Sequence, residues 1–553
     1  MADSCLTLDG VSFALPDGTV LFSNLTARFD TTPTGLVGRN GVGKSVLARL
    51  LAGQLQPAAG RCQRSGKVHY LAQHVGIAPE ATVASLAGVE QQLNALQRIE
   101  AGSSAIEDFD SVGEGWDLPQ RLQHELQQNG LGHLEPNTPA ALLSGGEAMR
   151  VALLGAALAQ ADFLILDEPS NHLDRDSRLA LVGHLQSWRG GLLVISHDRQ
   201  LLAGMARIVE LSSLGLRSYG GGYEFYQRCK ALEREQAQQQ LDQCKHARKK
   251  QQQVLREQQQ RSQHRQAHGS RAAGESNQAK ILVGRQKQRS QASAGKLNQQ
   301  HAAALERLDA HVRKAAGRLE PQASIAVHGV DVDARACQRV AELQQVRLPF
   351  ISTATRHISL SIGARQRVGV VGGNGCGKST LLKVLAGQLA PAAGGCHLCA
   401  HVAWLDQRLC SLQPGRSALQ QLQAANPAAE LSQLRTRLAQ LGLDARQATA
   451  PSEHLSGGER LKAALACVLY AAPAPQLLLL DEPSNHLDLL SLQALEAMLR
   501  AYEGALVVVS HDDVFLGNIA LTDRLVGDER GWRLEAWRKA PCLEDRASPR
   551  PGA

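Results

Sequence analysis

The pattern GxxxxGK[ST] occurs twice, as GRNGVGKS at 38–45 and GGNGCGKS at 372–379, and each copy opens the same ordered series of short strings. Lys44 and Lys378 lie 334 residues apart, as do Gln73 (in YLAQ) and Gln407 (in WLDQ). The LSGGE strings at 143–147 and 455–459 are offset by 312. The identical strings LDEPSNHLD at 166–174 and 480–488, and the Ser-His-Asp triplets at 196–198 and 510–512, are offset by 314. An offset that changes by 22 residues between the glutamine and LSGGE, and by only two elsewhere, describes two homologous domains, the first carrying an insertion. A chain of 553 residues also exceeds what one ordinary core organises.

The residues around each string predict an α/β fold. Leu36-Val37 and Val368–Val371 are short apolar runs entering the glycines, and VLARLLAG and TLLKVLAG follow as helices, the strand–loop–helix context of a phosphate loop. FLILD (163–167) and LLLLD (477–481) are continuous apolar runs, as are the segments before the two histidines, which suits parallel strands buried on both faces. The polar strings then gather at strand C-termini, the ligand-binding edge of such a sheet.

That placement suggests chemistry. Gly38, Gly41 and Gly43, and Gly372, Gly373, Gly375 and Gly377, let backbone N–H groups close around phosphate oxygens at a helix N-terminus; Asn40, Val46, Asn374 and Thr380 belong to the same two cradles. Lys44 and Lys378 would reach the β- and γ-phosphates, and Ser45 and Ser379 would place a hydroxyl on Mg²⁺. Asp167 and Asp481 end apolar strands, where a bare carboxylate is costly, and a Mg²⁺ ion compensates for them. Glu168 and Glu482 follow and are candidates for the general base. Helix capping alone would not require Asp-Glu-Pro twice beside a phosphate loop. Gln73 and Gln407 would bridge metal and water, and His197 and His511 would hydrogen-bond the γ-phosphate; a lone histidine at a strand end also packs as an ordinary polar group.

Taken in order, these strings resemble the Walker A, Q-loop, signature, Walker B, D-loop and switch-histidine motifs of the ATP-binding-cassette ATPases, over residues 1–222 and 325–530. The resemblance implies that two cassettes meet head to tail, with each ATP between the Walker motifs of one and the signature of the other. One site would combine Gly38–Ser45, Gln73, Asp167, Glu168 and His197 with Ser456, Gly457, Gly458 and Glu459. The other would combine Gly372–Thr380, Gln407, Asp481, Glu482 and His511 with Ser144, Gly145, Gly146 and Glu147. All catalytic letters are kept in both, so two hydrolysing sites are expected, with ATP and Mg²⁺ as ligands. Family members stack an aromatic on adenine; Phe13 stands at that place in the first copy, whereas Leu348 falls there in the second, with Phe350 close by.

Between the cassettes, residues 226–325 carry 20 Lys/Arg against 8 Asp/Glu, whereas the whole chain is only +7. The segment has no proline from 226 to 320 and is rich in Ala, Gln, Arg and Lys, all good helix formers. Leu297, Leu305, Leu308, Val312 and Leu319 recur near its end, and Phe225, Cys229, Leu232, Leu241 and Cys244 make a thinner stripe at its start. Gly269, Gly274 and Gly284 interrupt the middle. Two antiparallel helices with an irregular basic tip near 266–295 are expected, the tip offering Lys280, Arg285, Lys287 and Arg289 to RNA phosphates. A solvated charged linker is the plainer alternative. The only aromatic of the segment is Tyr226 at its base, so recognition would rest on RNA shape and charge more than on base stacking.

Two fused cassettes with a basic hairpin between them resemble the ABC-F family. The domains expected are a first cassette (1–222), the hairpin linker (223–322), a second cassette (323–540) and a disordered tail (541–553). The resemblance implies a cytoplasmic ATPase, monomeric with intramolecular cassette pairing and without membrane subunits. It would bind the tRNA exit site of the ribosome, contact rRNA and P-site tRNA through the linker, and tune translation or protect ribosomes from antibiotics. The insertion near 95–120 lies where that family carries an arm, but here it is short and acidic, which argues against a strong RNA contact. A transporter motor and a DNA-associated ATPase are the competing readings. The N-terminus lacks a secretory signal, and the longest apolar stretch, 463–480, is broken by Pro473, Pro475 and Gln476. Eleven scattered cysteines suit reduced thiols.

Overall fold

The computed structural model describes residues 4–72, 81–171, 173–275, 303, 306–316, 338–398, 401–406, 412–485 and 487–537. The chain divides into two units, Met1–Glu224 with Ala323–Ala553, and Phe225–Gln322.

In the first unit the two repeats fold alike. Cys5–Ala14 runs antiparallel between Val20–Phe29 and Ala59–Ser65, and Arg339–Arg347 does the same between His357–Gly363 and Ala393–Leu398. Each repeat adds a six-stranded sheet. In the first its spatial order is Val68–Leu71, Phe163–Asp167, Gly191–Ile195, Thr34–Gly38, Arg207–Ser212 and Gly215–Tyr219; all neighbours are parallel except the last pair. The second sheet repeats this order with Val402–Leu405, Leu477–Asp481, Ala505–Val509, Arg367–Gly372, Asp523–Asp528 and Gly531–Ala536.

The leucine run at 477–480 shows why these strands are apolar throughout. Leu477 and Leu479 pack with Leu381, Leu382 and Leu385 of the phosphate-loop helix and with the antiparallel sheet, whereas Leu478 and Leu480 pack with Leu461, Leu465 and Leu469 of the helix after the signature. Successive side chains point to opposite faces, and both faces are covered by helices. Parallel strands end at one edge, so Gly38, Asp167 and the turn after Ile195 are brought together, and their counterparts with them.

The insertion of the first repeat falls in a helical layer, Val83–Leu86, Glu90–Glu100, Ile106–Val112 and Leu118–Gln128. Leu93, Leu96, Leu122 and Leu126 share an apolar core with Val151 and Leu154 of the helix Gly145–Leu158. Asp108 is drawn inward by Arg98 at 2.6 Å and by the Ser103 hydroxyl at 2.7 Å, and Phe109 and Trp116 stand exposed with ring centroids 6.1 Å apart.

One helix spans Tyr223–Glu275, 53 residues, all but its first two in the second unit, or on the order of 80 Å at a 1.5 Å rise per residue. It runs through Gly269 and Gly274, so the expected irregular tip does not begin at 266. An isolated glycine costs a helix only about 1 kcal/mol relative to alanine, and the flanking Gln, Arg and Ala residues outweigh it. The expected early stripe is also incomplete, because Phe225 and Leu232 are exposed while Leu241 and Leu255 are buried. Residues 306–316 are helical, and Asp309 pairs with Arg248 at 2.7 Å, which sets this stretch beside the long helix. Lys280, Arg285, Lys287 and Arg289 lie outside the described residues.

Candidate nucleotide sites between the cassettes

Each phosphate loop leaves a buried central strand and ends at a glycine in left-handed conformation. Gly43 has φ +99° and Gly377 φ +97°. A Cβ at Gly43 would lie 3.1 Å from Phe22 Cε1, and one at Gly377 would lie 3.0 Å from Ile351 Cδ1, so space and backbone both select glycine there. The lysines are folded over their own loops. Lys44 Nζ donates to the carbonyls of Gly38 (2.8 Å) and Arg39 (3.1 Å), and Lys378 Nζ to those of Gly372 (2.8 Å) and Gly373 (2.9 Å).

At the ends of the neighbouring strands stand the carboxylates. Burial pushes Asp167 and Asp481 above the usual carboxylate range, against hydrogen bonding by Ser45 and Ser379 respectively. Tyr70 donates to Asp167 Oδ2 at 3.3 Å, while Asp167 Oδ1 is buried with no hydrogen-bond partner. That orphaned oxygen, on a carboxyl whose proton affinity the Ser45 hydroxyl lowers, fits a Mg²⁺ ligand. No group of three or more His, Cys, Asp or Glu among the described residues could hold a metal unaided, so phosphate oxygens and water would complete the shell.

Glu168 and Glu482 adopt positive φ, +51° and +47°, while their N–H groups donate to Ile195 and Val509. A non-glycine residue held in this region in both copies marks a constrained position. His197 Nε2 lies 3.5 Å from Glu168 Oε1, and His511 Nε2 lies 3.6 Å from Glu482 Oε1. Burial pushes both glutamates up to about 8. It pushes His197 down to about 3 and His511 to about 4, helped by Lys44 in one site and by Lys378 and Arg178 in the other. Both imidazoles are therefore neutral at neutral pH, each with one N–H to donate.

The two cassettes complete one another's loops. Asp488 Oδ1 caps its own helix by accepting from Ser491 N at 2.8 Å, and its Oδ2 accepts from Asn40 N at 3.2 Å in the opposite phosphate loop. Asp174 repeats this with Ser177 N at 3.0 Å and Asn374 N at 3.4 Å. These aspartates close the repeated LDEPSNHLD string but were not among the residues singled out from sequence; the exact repetition of that last letter was the available signal. Ion pairs join the cassettes beside the sites. Arg199 meets Glu496 at 2.8 Å, both buried, and Arg175 meets Asp513 at 2.9 Å.

The signature residues form helix N-termini. Ser144 and Ser456 each accept from the N–H of the glutamate three residues on, and Glu147 and Glu459 return a carboxylate oxygen to the serine N–H at 2.8 and 2.9 Å. The other oxygen of Glu459 accepts from Gln447, and that of Glu147 lies 3.2 Å from His133. Both glutamates thus have local partners that fix the helix end. The first glycine of each pair, Gly145 and Gly457, opens the helix. The second is required by packing, since a Cβ on Gly146 would fall 2.1 Å from Ser177 Oγ and one on Gly458 2.9 Å from Ser491 Oγ. Burial lowers the Lys462 ammonium, one turn further along, with Asp488 opposing the shift and Arg39 of the first phosphate loop adding to it.

A cavity of about 540 Å³ occupies the second site. Asn374, Gly375, Gly377, Lys378, Ser379, Thr380, Asp481, Glu482 and His511 line it together with Leu173 and Arg178 of the first cassette. Its aromatic wall is Phe350, 91% exposed, with Ile351; Leu348 is fully buried in the core. The chain leaves the strand Arg339–Arg347 through Leu348-Pro349, and Phe350 takes a positive φ of +63° that turns it outward. In the first site Phe13 lies 6.3 Å from Phe22 and Val46 packs against the same core. Gln73 and Gln407 lie outside the described residues.

Comparison with known proteins agrees with this architecture. The family described as "ABC transporter" matches residues 28–171 and 355–485. The chain is 33% identical to the tylosin resistance ATP-binding protein TlrC of Streptomyces fradiae, over 92% of this chain and 95% of that protein. It is 30% identical to the probable ATP-binding protein YheS of Escherichia coli K12 (89% and 74%) and 29% identical to the ribosome protection protein VmlR of Bacillus subtilis (92% and 84%). Among solved structures it resembles an archaeal ribosome recycling factor, aABCE1, with a TM-score of 0.57 at 19% identity over 96% of this chain and 90% of that one, a likeness of fold. With two cassettes, their full set of motifs and these relatives, the chain belongs to the ABC-F family and is an ATP hydrolase.

Proposed function

We propose that this ATPase binds the ribosome in an ATP-dependent manner at the tRNA exit site, contacts rRNA and P-site tRNA through its basic helical connector, and thereby modulates translation or protects ribosomes from antibiotics. ATP is held between the cassettes, its phosphates in the loops Gly38–Ser45 and Gly372–Ser379 and its γ-phosphate near the opposite signature serine and glycines. Ser45 and Asp167 in one site, and Ser379 and Asp481 in the other, with Gln73 and Gln407, would hold Mg²⁺, which would supply charge neutralisation to the phosphates. Glu168 and Glu482 take a proton from the attacking water. Burial holds both carboxyls near 8 in the nucleotide-free chain, so each acts as base once it is ionised in the loaded site, as a strong proton acceptor. Neutral His197 and His511 donate to the γ-phosphate. Asp174 and Asp488 tie each loop to the other cassette, so bound nucleotide favours the closed pair and hydrolysis releases it.

The observation that carries the ribosomal reading is the connector, a helix of 53 residues in a segment with 20 Lys/Arg against 8 Asp/Glu. The names of two relatives, one conferring tylosin resistance and one a ribosome protection protein, support it. Among the described residues no helix is long and apolar enough to cross a membrane. The test is co-sedimentation of the E168Q/E482Q variant with 70S ribosomes at moderate salt. ATP, but not ADP, is expected to bring the variant into the pellet; equal recovery with both nucleotides, or none with either, refutes the proposal. Near-normal ATP turnover by the same variant would remove the two glutamates from the role of base.

A further inference from the structure

The two repeats agree letter for letter through LDEPSNHLD and then part. Four residues beyond the closing aspartate the first cassette has Arg178 and the second has Leu492. Arg178 is on the helix Arg175–Ser187 of the first cassette and is 7% exposed, yet it lines the cavity of the second site beside Lys378, Glu482 and His511. Its Nε lies 3.2 Å from Asp198 Oδ2, the residue after His197 of the first site. Leu492, 2% exposed, packs in the apolar cluster of its own cassette, so it offers the first site no cation.

A guanidinium is costly to bury; Asp198 lies at ion-pair distance from Nε, and Asp512 and Glu482 also feel the charge, yet five donors leave room for a further partner. A cation at the wall of this cavity of about 540 Å³, facing a phosphate loop from the opposite cassette, has the chemistry to bind a terminal phosphate. We infer that Arg178 is a phosphate-binding residue supplied in trans to the second nucleotide site, and that the first site works without an equivalent. This rests on reading the cavity as an ATP site. The two sites are then unequal: the second gains a guanidinium only when the first cassette is closed on it, and the Asp198 contact links that guanidinium to the turn bearing His197.

The test counts retained nucleotide. E168Q/E482Q protein is loaded with radiolabelled ATP and Mg²⁺ and desalted, and two ATP per chain are expected. Adding R178M is expected to leave one, the other escaping roughly ten- to a hundredfold faster, as for a lost hydrogen bond to a charged group. Adding D198N instead is expected to leave two, because asparagine still accepts from Gln200 and Leu201 at the helix cap while Arg178 keeps its charge. The neutral pair R178M/D198N, which removes the ion pair as a whole while Arg199 still faces Asp512, must also give one, which separates phosphate binding from a folding defect. Two ATP retained with R178M, or equal losses with R178M and D198N, would overturn the inference. A parent that retains none would instead bring down the nucleotide-site reading, and the inference with it.

Discussion

Replacing both glutamates by glutamine is expected to stabilise the nucleotide-free protein in a pH-dependent way. Glu168 and Glu482 side chains are 10% and 13% exposed, and each has a buried Oε1 without a hydrogen-bond partner. Burial moves each from 4.5 to about 8. The folded chain therefore holds these protons more tightly than the unfolded chain. The associated stability is fully present below about 4.5 and is lost as pH rises through the window to about 8. At pH 7 a carboxyl kept protonated against a free value of 4.5 costs on the order of 3 kcal/mol per cassette, and at pH 5 less than about 1 kcal/mol. Glutamine keeps the shape and carries no such cost. For a cassette-sized domain this corresponds to melting roughly 6–10 °C higher than the parent at pH 7, shrinking to about 1–3 °C at pH 5. The histidines act in the opposite sense, destabilising as pH falls below 6.5, but both proteins contain them. Calorimetry in EDTA at pH 5, 6, 7 and 8 reads the difference. A gap that does not change with pH, or that widens toward pH 5, would refute the reasoning.

Three further outcomes follow from the geometry. E496A leaves Arg199 buried without its partner and should cost about 3–5 kcal/mol in urea unfolding, whereas R199M/E496L should recover most of that loss. F350A should raise the KM for ATP about fivefold or more through lost base stacking, read in an E168Q background where the second site turns over alone; an unchanged KM would mean the ring does not meet the base. S456A removes the N-cap of the second signature helix and should lower stability by about 1 kcal/mol, with S456T restoring it.

Much of the engine was legible before folding. Strand, glycine loop and helix follow one another within a few residues of Lys44 and Lys378, and the alternation of faces along the fully buried leucine run at 477–480 follows from strand geometry, so local patterns sufficed. The connector shows the limit of such patterns. Gly269 and Gly274 signal a break, yet the helix continues through them because its neighbours' preferences add up along the chain. Aromatic spacing likewise pointed to Leu348, whereas one positive φ puts Phe350 at the cavity wall.

The sequence by itself determined two phosphate-loop domains, the order of their motifs and the charge of the segment between them, since these depend on neighbours in the chain. Only the tertiary structure decided which halves complete which site. Asn40 meets Asp488 across 448 residues and Asn374 meets Asp174 across 200. It also gave Glu147 and Glu459 local partners, raised the proton affinity of Glu168 and Glu482, and brought Arg178 into the opposite cassette's cavity. Contacts of this kind depend on how two folded bodies are set against each other and on how much water they exclude, and no spacing along the chain encodes either.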